Sequence, residues 1–155
     1  KKDYTPTDAL PLHLAHKPMY ALPYEHFDGI YTDGTDARYI SVGMAQYDES
    51  HVSIKVLRHT GTKWTRQSEE LPLHRVLDMT LFLAKVLYDS KNGQLNIPPE
   101  TYERQEREMT IAAEQRGVTE RNKFEKFIED NSEILKKRFN ALFSVLTQLK
   151  KKGAF

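Results

Sequence analysis

The 155-residue chain contains no cysteine. This absence excludes a disulfide scaffold, thiolate catalysis and a cysteine-ligated metal site. The sequence also lacks any apolar run near the ~18 residues that a membrane-spanning helix needs. No basic segment followed by an apolar stretch marks an export signal. We therefore expect a cytoplasmic protein without membrane association.

No sign of charge is in excess, because 23 Lys and Arg residues face 22 Asp and Glu residues. A near-neutral chain argues against a general polyanion binder, so any nucleic-acid binding must come from a local patch. A glycine-rich phosphate loop, a GxSxG elbow, an HExxH motif and a calcium loop are all missing from the sequence. The sequence therefore predicts no catalytic residues, no metal and no cofactor, and favours a protein that is not an enzyme.

The histidines leave open two weaker functional alternatives, a metal site and an acid-base pair. Three near the N-terminus are of the type that zinc prefers, but prolines among them disfavour the helix that would bring them to one ion. Two later histidines have carboxylates nearby in sequence, as an acid-base pair requires. Spacing alone assigns neither role. The first group is His13, His16 and His26, and the second is His59 and His74 with Glu69, Glu70 and Asp78.

What the sequence does contain suffices for one core, because 39% of the residues are apolar and seven Phe, eight Tyr and one Trp are present. We predict a single domain over residues 1–155 with three parts. Residues 1–38 hold four of the seven prolines and should run extended. Residues 39–89 should form a sheet with a helix, and residues 98–150 a helical extension.

Alternation of apolar and polar residues predicts two strands in the central part. The polar connection at residues 48–50 makes an antiparallel hairpin the simplest pairing. Residues 63–67 are predicted as a third strand and residues 29–32 as a short fourth. The apolar members of the two alternating series are Ile40, Val42 and Met44, then Val52, Ile54 and Val56.

Two helices are predicted next. Pro72 suits the first turn of a helix, and apolar residues follow it at helical spacing to about Asp89. This helix is apolar on most of its circumference, so it needs cover from the sheet on one side and from C-terminal helices or a second subunit on the other. Ile97–Pro98–Pro99, with acidic residues behind, predicts another helix that stops at Gly117.

A last helix, capped by Thr119, would complete a C-terminal helical hairpin, and Asp130–Asn131–Ser132 offers an alternative break within it. Its apolar residues recur at steps of three and four, as in a coiled coil, with Asn131 and Arg138 in the same seam. Net charge changes from −3 over residues 99–131 to +5 over residues 132–155. The apolar positions are Phe124, Ile128, Leu135, Leu142, Val145 and Leu149.

The predicted fold is therefore α+β, with a small antiparallel sheet backed by a long apolar helix and a C-terminal helical hairpin. More of the helical surface is apolar than one small sheet can cover. We expect the protein to form a homodimer for this reason.

The leading functional candidate is a basic ribbon around the single tryptophan. Cations that follow phosphates, beside an aromatic ring that can stack on a base, are typical of single-stranded nucleic-acid binding. We therefore predict a non-enzymatic protein of bacterial type that binds single-stranded nucleic acid. The alternative is a protein-interaction or assembly module that uses apolar helical surfaces. The predicted binding residues are Lys55, Arg58, Lys63, Trp64 and Arg66.

Residues 39–89 resemble the transcriptional coactivator family called positive cofactor four. The matching residues are Val52–Ser53–Ile54–Lys55–Val56, then Arg58, Gly61, Lys63–Trp64 and the helix from Pro72. The resemblance implies strand ribbons that bind single-stranded DNA and a dimer held partly by the helix. Through residues 58–75, the whole chain also looks like an uncharacterised bacterial family, which implies no known activity.

Overall fold

The computed structural model describes residues 4–89, 91–113 and 118–155. They form an α+β fold with a four-stranded antiparallel sheet, a two-stranded antiparallel sheet and three helices. They fall into two compact units, residues 1–112 and 113–155. The single domain expected over residues 1–155 stays a prediction. Among the described helices, none combines the length and the apolar character that crossing a membrane requires.

The larger sheet is an antiparallel meander in the order β1-β2-β3-β4. Its strands are β1 (Lys17–Pro23), β2 (Ala37–Met44), β3 (Val52–Arg58) and β4 (Glu70–Pro72). The two strands predicted from alternation, β2 and β3, are confirmed as an antiparallel pair, with Val42 opposite Ile54. Strand β1 lies at one edge, where Pro18 and Pro23 are tolerated because an edge strand need not donate every N–H group.

Two of the predicted strands are wrong. In residues 63–67, Trp64 forms an isolated bridge to His59, and the fourth strand of the sheet is β4 instead. Residues 29–32, predicted as a short fourth strand, instead contain a 3-10 turn at Gly29–Tyr31. Gly29 has a φ of 61°, which lies outside the strand region.

One face of the larger sheet is more buried than the other, and it carries small and polar side chains. Along β2 and β3, buried residues alternate with less buried ones. The buried residues of this face are Tyr39, Ser41, Gly43, Ser53, Lys55 and Leu57. The half-buried residues of the opposite face include Ile40, Val42, Ile54 and Val56. Alternation therefore located the strands without showing which face is inside.

Strand β1 passes very close to β2 at Gly43. A Cβ atom on this glycine would lie 2.0 Å from the backbone oxygen of Lys17. The register between the two strands shifts nearby, between Pro18 and Tyr20. Gly43 is therefore required by the approach of the edge strand.

The first helix, α1 (Leu73–Asp89), follows β4 directly and confirms the helix predicted from Pro72. It contacts β3, β4 and β5. Strands β5 (Gln94–Ile97) and β6 (Met109–Ala112) pair antiparallel in the smaller sheet, where Leu95 and Ile97 are buried.

The helix predicted from Ile97–Pro98–Pro99 is wrong, because a loop held by Gln105 connects β5 to β6. Glu100 and Arg104 adopt positive φ angles of 61° and 64°, which interrupt any right-handed helix. The Gln105 side-chain oxygen accepts a hydrogen bond from the backbone N–H of Tyr102 at 3.1 Å. Its amide group donates to the backbone oxygens of Ile97, Pro98 and Arg107.

The second unit contains a C-terminal pair of helices, α2 (Val118–Asp130) and α3 (Ser132–Lys151), which together cover the range of the predicted last helix. The break lies at Asn131, the alternative that the sequence left open. Asn131 itself leaves the helical conformation, with φ −104° and ψ 11°. Its N–H still donates to the oxygen of Phe127, and its oxygen accepts from the N–H of Leu135. The predicted stop at Gly117 lies outside the described residues.

Candidate functional site

The structure does not bring the cations of the predicted basic ribbon to one surface. Lys55 and Arg58 lie on opposite faces of β3, because side chains alternate along a strand. Lys55 is 7% exposed and is paired in register with Glu70. Arg58 Nε donates to Asp36 Oδ1 at 2.9 Å. This bond raises the pKa of the Arg58 guanidinium and lowers the pKa of the Asp36 carboxyl.

The other three ribbon residues share the loop between β3 and β4. Trp64 is half-buried, and its ring meets His59 edge-on at a centroid distance of 4.9 Å. The ring of Tyr39 lies 6.2 Å from Trp64. Lys63 and Arg66 are exposed near the tryptophan. The nucleic-acid role of the five residues stays a prediction.

A buried polar cluster, which the sequence did not predict, lies on the buried face of the larger sheet. His16 Nδ1 is 2.5 Å from Glu70 Oε1, and His16 Nε2 is 2.8 Å from Ser41 Oγ. Ser53 Oγ donates to Glu70 Oε1 at 2.7 Å, and the Gln46 backbone N–H donates to Glu70 Oε2 at 2.8 Å. We call these five residues the His16–Glu70 cluster.

The carboxylate of the His16–Glu70 cluster is stabilised in its ionised form. Burial of Glu70 would raise its pKa, but hydrogen bonds from Ser53, His16 and the Gln46 backbone outweigh burial and lower the pKa below its usual value. A buried carboxylate that accepts several hydrogen bonds is held as the anion. Glu70 is therefore charged and well partnered at neutral pH.

The connectivity of Ser41, His16 and Glu70 is that of a serine–histidine–acid triad. A nucleophile must meet its substrate, however, and Ser41 is 0% exposed while His16 is 1% exposed. The cluster instead joins the residue before β1 to strands β2, β3 and β4. We conclude that it fixes the N-terminal segment on the sheet.

An open cleft of about 1010 Å³ lies on the half-buried face of the sheet, away from the cluster. Ile40 and Val56 contribute apolar lining, and Arg58 and Asp36 lie at the cleft as an ion pair. The remaining acidic lining residues are Asp28, Asp33 and Glu69. In the described ranges, no group of three or more His, Asp or Glu side chains is placed to hold a metal ion.

The histidines considered from the sequence have other surroundings. His16 belongs to the His16–Glu70 cluster, whereas His13 and His26 are exposed. His59 Nδ1 accepts a hydrogen bond from the Gly61 N–H at 3.1 Å and lies 3.4 Å from Asp8 Oδ2. A carboxylate from the N-terminal segment thus occupies the place that the sequence offered to Glu69 or Glu70.

The helices carry many exposed apolar side chains. None of the side chains in α1, α2 or α3 is buried. On α1, Leu77 is 67% exposed, Met79 56% and Tyr88 82%. Extended exposed apolar patches are uncommon on monomeric proteins and mark interaction surfaces.

Five apolar residues of α3 form one continuous stripe, whose members alternate at steps of four and three, while Ile134, Phe143 and Val145 lie beside it. We call it the α3 stripe. Leu142, Leu146 and Leu149 are each about 40% exposed, and Lys150 and Lys151 follow in the last helical turn. Such spacing is that of helices that pack along one another. The stripe consists of Leu135, Phe139, Leu142, Leu146 and Leu149.

Comparison with known protein families matches residues 9–151 to a family of unknown function (DUF6530). No curated protein and no solved structure matches the chain. The comparisons give no support for the resemblance to positive cofactor four and agree with the expectation of an uncharacterised family. Because the match spans most of the sequence, the chain belongs to this family of unknown function (DUF6530).

Proposed function

We propose that the protein is an interaction module that assembles with a second copy of itself through its apolar helices. The observation that carries this proposal is that none of the side chains in α1, α2 and α3 is buried. Burying one Leu or Phe side chain contributes roughly 1.5–3 kcal/mol. A partner that covers several of them therefore gains substantial free energy.

The α3 stripe favours a second copy as that partner. Heptad-like spacing is the pattern by which helices recognise other helices. A surface present on both copies can meet itself across a two-fold axis and form a closed dimer. A homodimer is therefore the simplest assembly that covers the stripe.

Sedimentation equilibrium over a range of protein concentrations tests this proposal. We expect a dimer for the wild-type chain and a monomer of unchanged helix content for the double variant Leu142→Glu/Leu146→Glu. The matched control is Ser144→Glu/Gln148→Glu, which adds the same charges at exposed polar positions of α3 and should leave the dimer intact. A wild-type chain that stays monomeric at every concentration contradicts the proposal.

Single-stranded nucleic-acid binding is a second candidate, supported by the loop in which exposed Lys63 and Arg66 lie near half-buried Trp64. We expect oligothymidine to quench Trp64 fluorescence, and less strongly at higher salt, because each phosphate contact contributes about 0.7 to the salt slope on single strands. Lys63→Ala/Arg66→Ala should weaken binding at least tenfold, whereas exposed Lys91→Ala should not. Unchanged fluorescence at both salt concentrations removes this candidate.

A further inference from the structure

We infer that α3 pairs antiparallel with α3 of a second copy, in the register that sets Phe139 against Leu142 of that copy. The inference rests on the proposed function and deepens it by assigning the surface, the orientation and the register of the dimer. Three properties carry it: the apolar stripe of α3, the position of Glu129 and Asp130 in the turn just before α3, and the distribution of charge at the two ends of the helix.

The apolar stripe alone allows two antiparallel registers, each with four apolar layers. In the first register, Leu135 faces Leu146 of the second copy and Phe139 faces Leu142. In the second register, Phe139 faces Leu149 and Leu142 faces Leu146. Layers of this kind form when residues at steps of three and four interleave. Hydrophobic contact therefore leaves the choice of register to other groups.

Charge selects the first register. It sets the three terminal lysines, Lys150–Lys152, opposite Glu129 and Asp130 of the second copy. The second register instead sets Lys150–Lys152 opposite Lys136–Arg138, where like charges repel. A parallel pair in register would place each basic cluster beside the same cluster of the second copy, where like charges also repel.

The two acidic residues lie next to the start of α3, because only Asn131, with φ −104° and ψ 11°, separates α2 from α3. The Asn131 N–H donates to the Phe127 oxygen at 3.0 Å, so Glu129 and Asp130 lie in the turn just before α3. Asp130 accepts a hydrogen bond from Lys126 at 2.8 Å, but this pair is exposed and contributes little. An antiparallel pair also places the positive end of one helix dipole beside the negative end of the other.

Disulfide trapping tests the register directly, because the chain has no cysteine of its own. A disulfide requires Cα atoms about 4.4–6.8 Å apart, so it reports which residues face each other. The double variant Leu135→Cys/Leu146→Cys should form a covalent dimer under mild oxidation. The control Phe139→Cys/Leu149→Cys, which matches the second register, should form at least tenfold less.

Single variants resolve the orientation. Leu135→Cys alone and Leu146→Cys alone should give little covalent dimer. In an antiparallel pair, each of these residues lies far from the same residue of the second copy. A parallel dimer would cross-link both single variants. Sedimentation equilibrium of each reduced variant establishes whether the dimer persists.

The outcomes separate this inference from the proposed function. Cross-linking confined to Leu135→Cys/Leu146→Cys supports the register. The register is overturned if the protein sediments as a dimer but the single variants or the control pair cross-link, or if none of the variants does. Self-assembly then remains supported. A wild-type monomer overturns both.

A charge exchange provides a second test. The variant Glu129→Lys/Asp130→Lys should dimerise at least fivefold more weakly than the wild type. Mixing it with Lys150→Glu/Lys152→Glu should restore dimers of one copy of each, because opposite charges then meet at both ends of the mixed pair. Equal dimerisation of the variant and the wild type would contradict the assigned register.

Discussion

His16 and Glu70 are 54 residues apart in sequence, yet His16 Nδ1 lies 2.5 Å from Glu70 Oε1 in the buried face of the larger sheet. The side chain of His16 is 0% exposed and that of Glu70 is 9% exposed. Their contact connects the segment before β1 to the opposite edge strand, β4. Ser41 on β2 and Ser53 on β3 complete the connection.

We expect His16→Ala to lower the free energy of unfolding by about 3 kcal/mol, because removing one partner leaves a buried carboxylate short of a donor. Urea unfolding measures this change. His13→Ala removes an exposed imidazole three residues earlier and should change stability by less than about 0.5 kcal/mol. Equal effects of the two substitutions would contradict a stabilising role for the cluster.

Stability should also depend on pH through Glu70. Its pKa is lowered by folding from a usual value of 4.5, so the folded state favours the ionised form. The stabilisation is fully present above the unfolded pKa and is lost as pH falls through the lower folded pKa. Urea unfolding below neutral pH should show this loss in the wild type and less of it in Glu70→Gln. Glu69→Gln, which removes the same charge at an exposed position, controls for net charge. Parallel profiles for the wild type and Glu70→Gln would refute the assignment.

Gly43→Ala should destabilise the sheet by about 1–3 kcal/mol, because the new methyl group would overlap the Lys17 backbone and displace β1. Thermal unfolding should show a melting temperature several degrees lower. Gly34→Ala is the matched control, since a Cβ atom there meets nothing within 4 Å. A shift as large for Gly34→Ala would show that loss of glycine flexibility, rather than the close approach of β1, is responsible.

Two tyrosines should respond oppositely to loss of their hydroxyl groups. The Tyr102 hydroxyl is the one buried side-chain polar atom in the described ranges without a hydrogen-bond partner, and burial raises its pKa, with Asp78 adding to the shift. The Tyr39 hydroxyl donates a hydrogen bond to the backbone oxygen of Asp8 at 2.9 Å. Tyr102→Phe should leave stability unchanged or slightly higher, and Tyr39→Phe should cost about 1 kcal/mol in chemical unfolding. The reverse order would be incompatible with this account.

Local patterns in the sequence predicted β2, β3, α1 and the C-terminal pair of helices, because period two and helical spacing are properties of neighbouring residues. Strand β4 was missed because its three residues, Glu70–Pro72, are too few to show a period. The helix predicted after Pro98 failed for a tertiary reason. The side chain of Gln105 binds the backbone of the loop, which no local pattern reports.

The candidate sites also divide into those that a local sequence pattern can predict and those that depend on tertiary contacts. The α3 stripe was anticipated in part, because Leu135, Leu142 and Leu149 repeat along one helix, whereas Phe139 and Leu146 were not among the predicted positions. The His16–Glu70 cluster could not, because its members come from separate segments that pair only once the sheet has formed. Alternation along β3 could have shown that Lys55 and Arg58 do not share a surface, because it places them on opposite faces of the strand.

Both edges of the larger sheet resist extension by another strand. Strand β1 contains Pro18 and Pro23, which lack the N–H groups that an added strand would need, and β4 is three residues long and ends at Pro72. Strand-by-strand growth into open-ended fibrils is therefore disfavoured at either end. The proposed association through the helices would stop at a finite, closed particle, whereas pairing at a sheet edge would continue without limit.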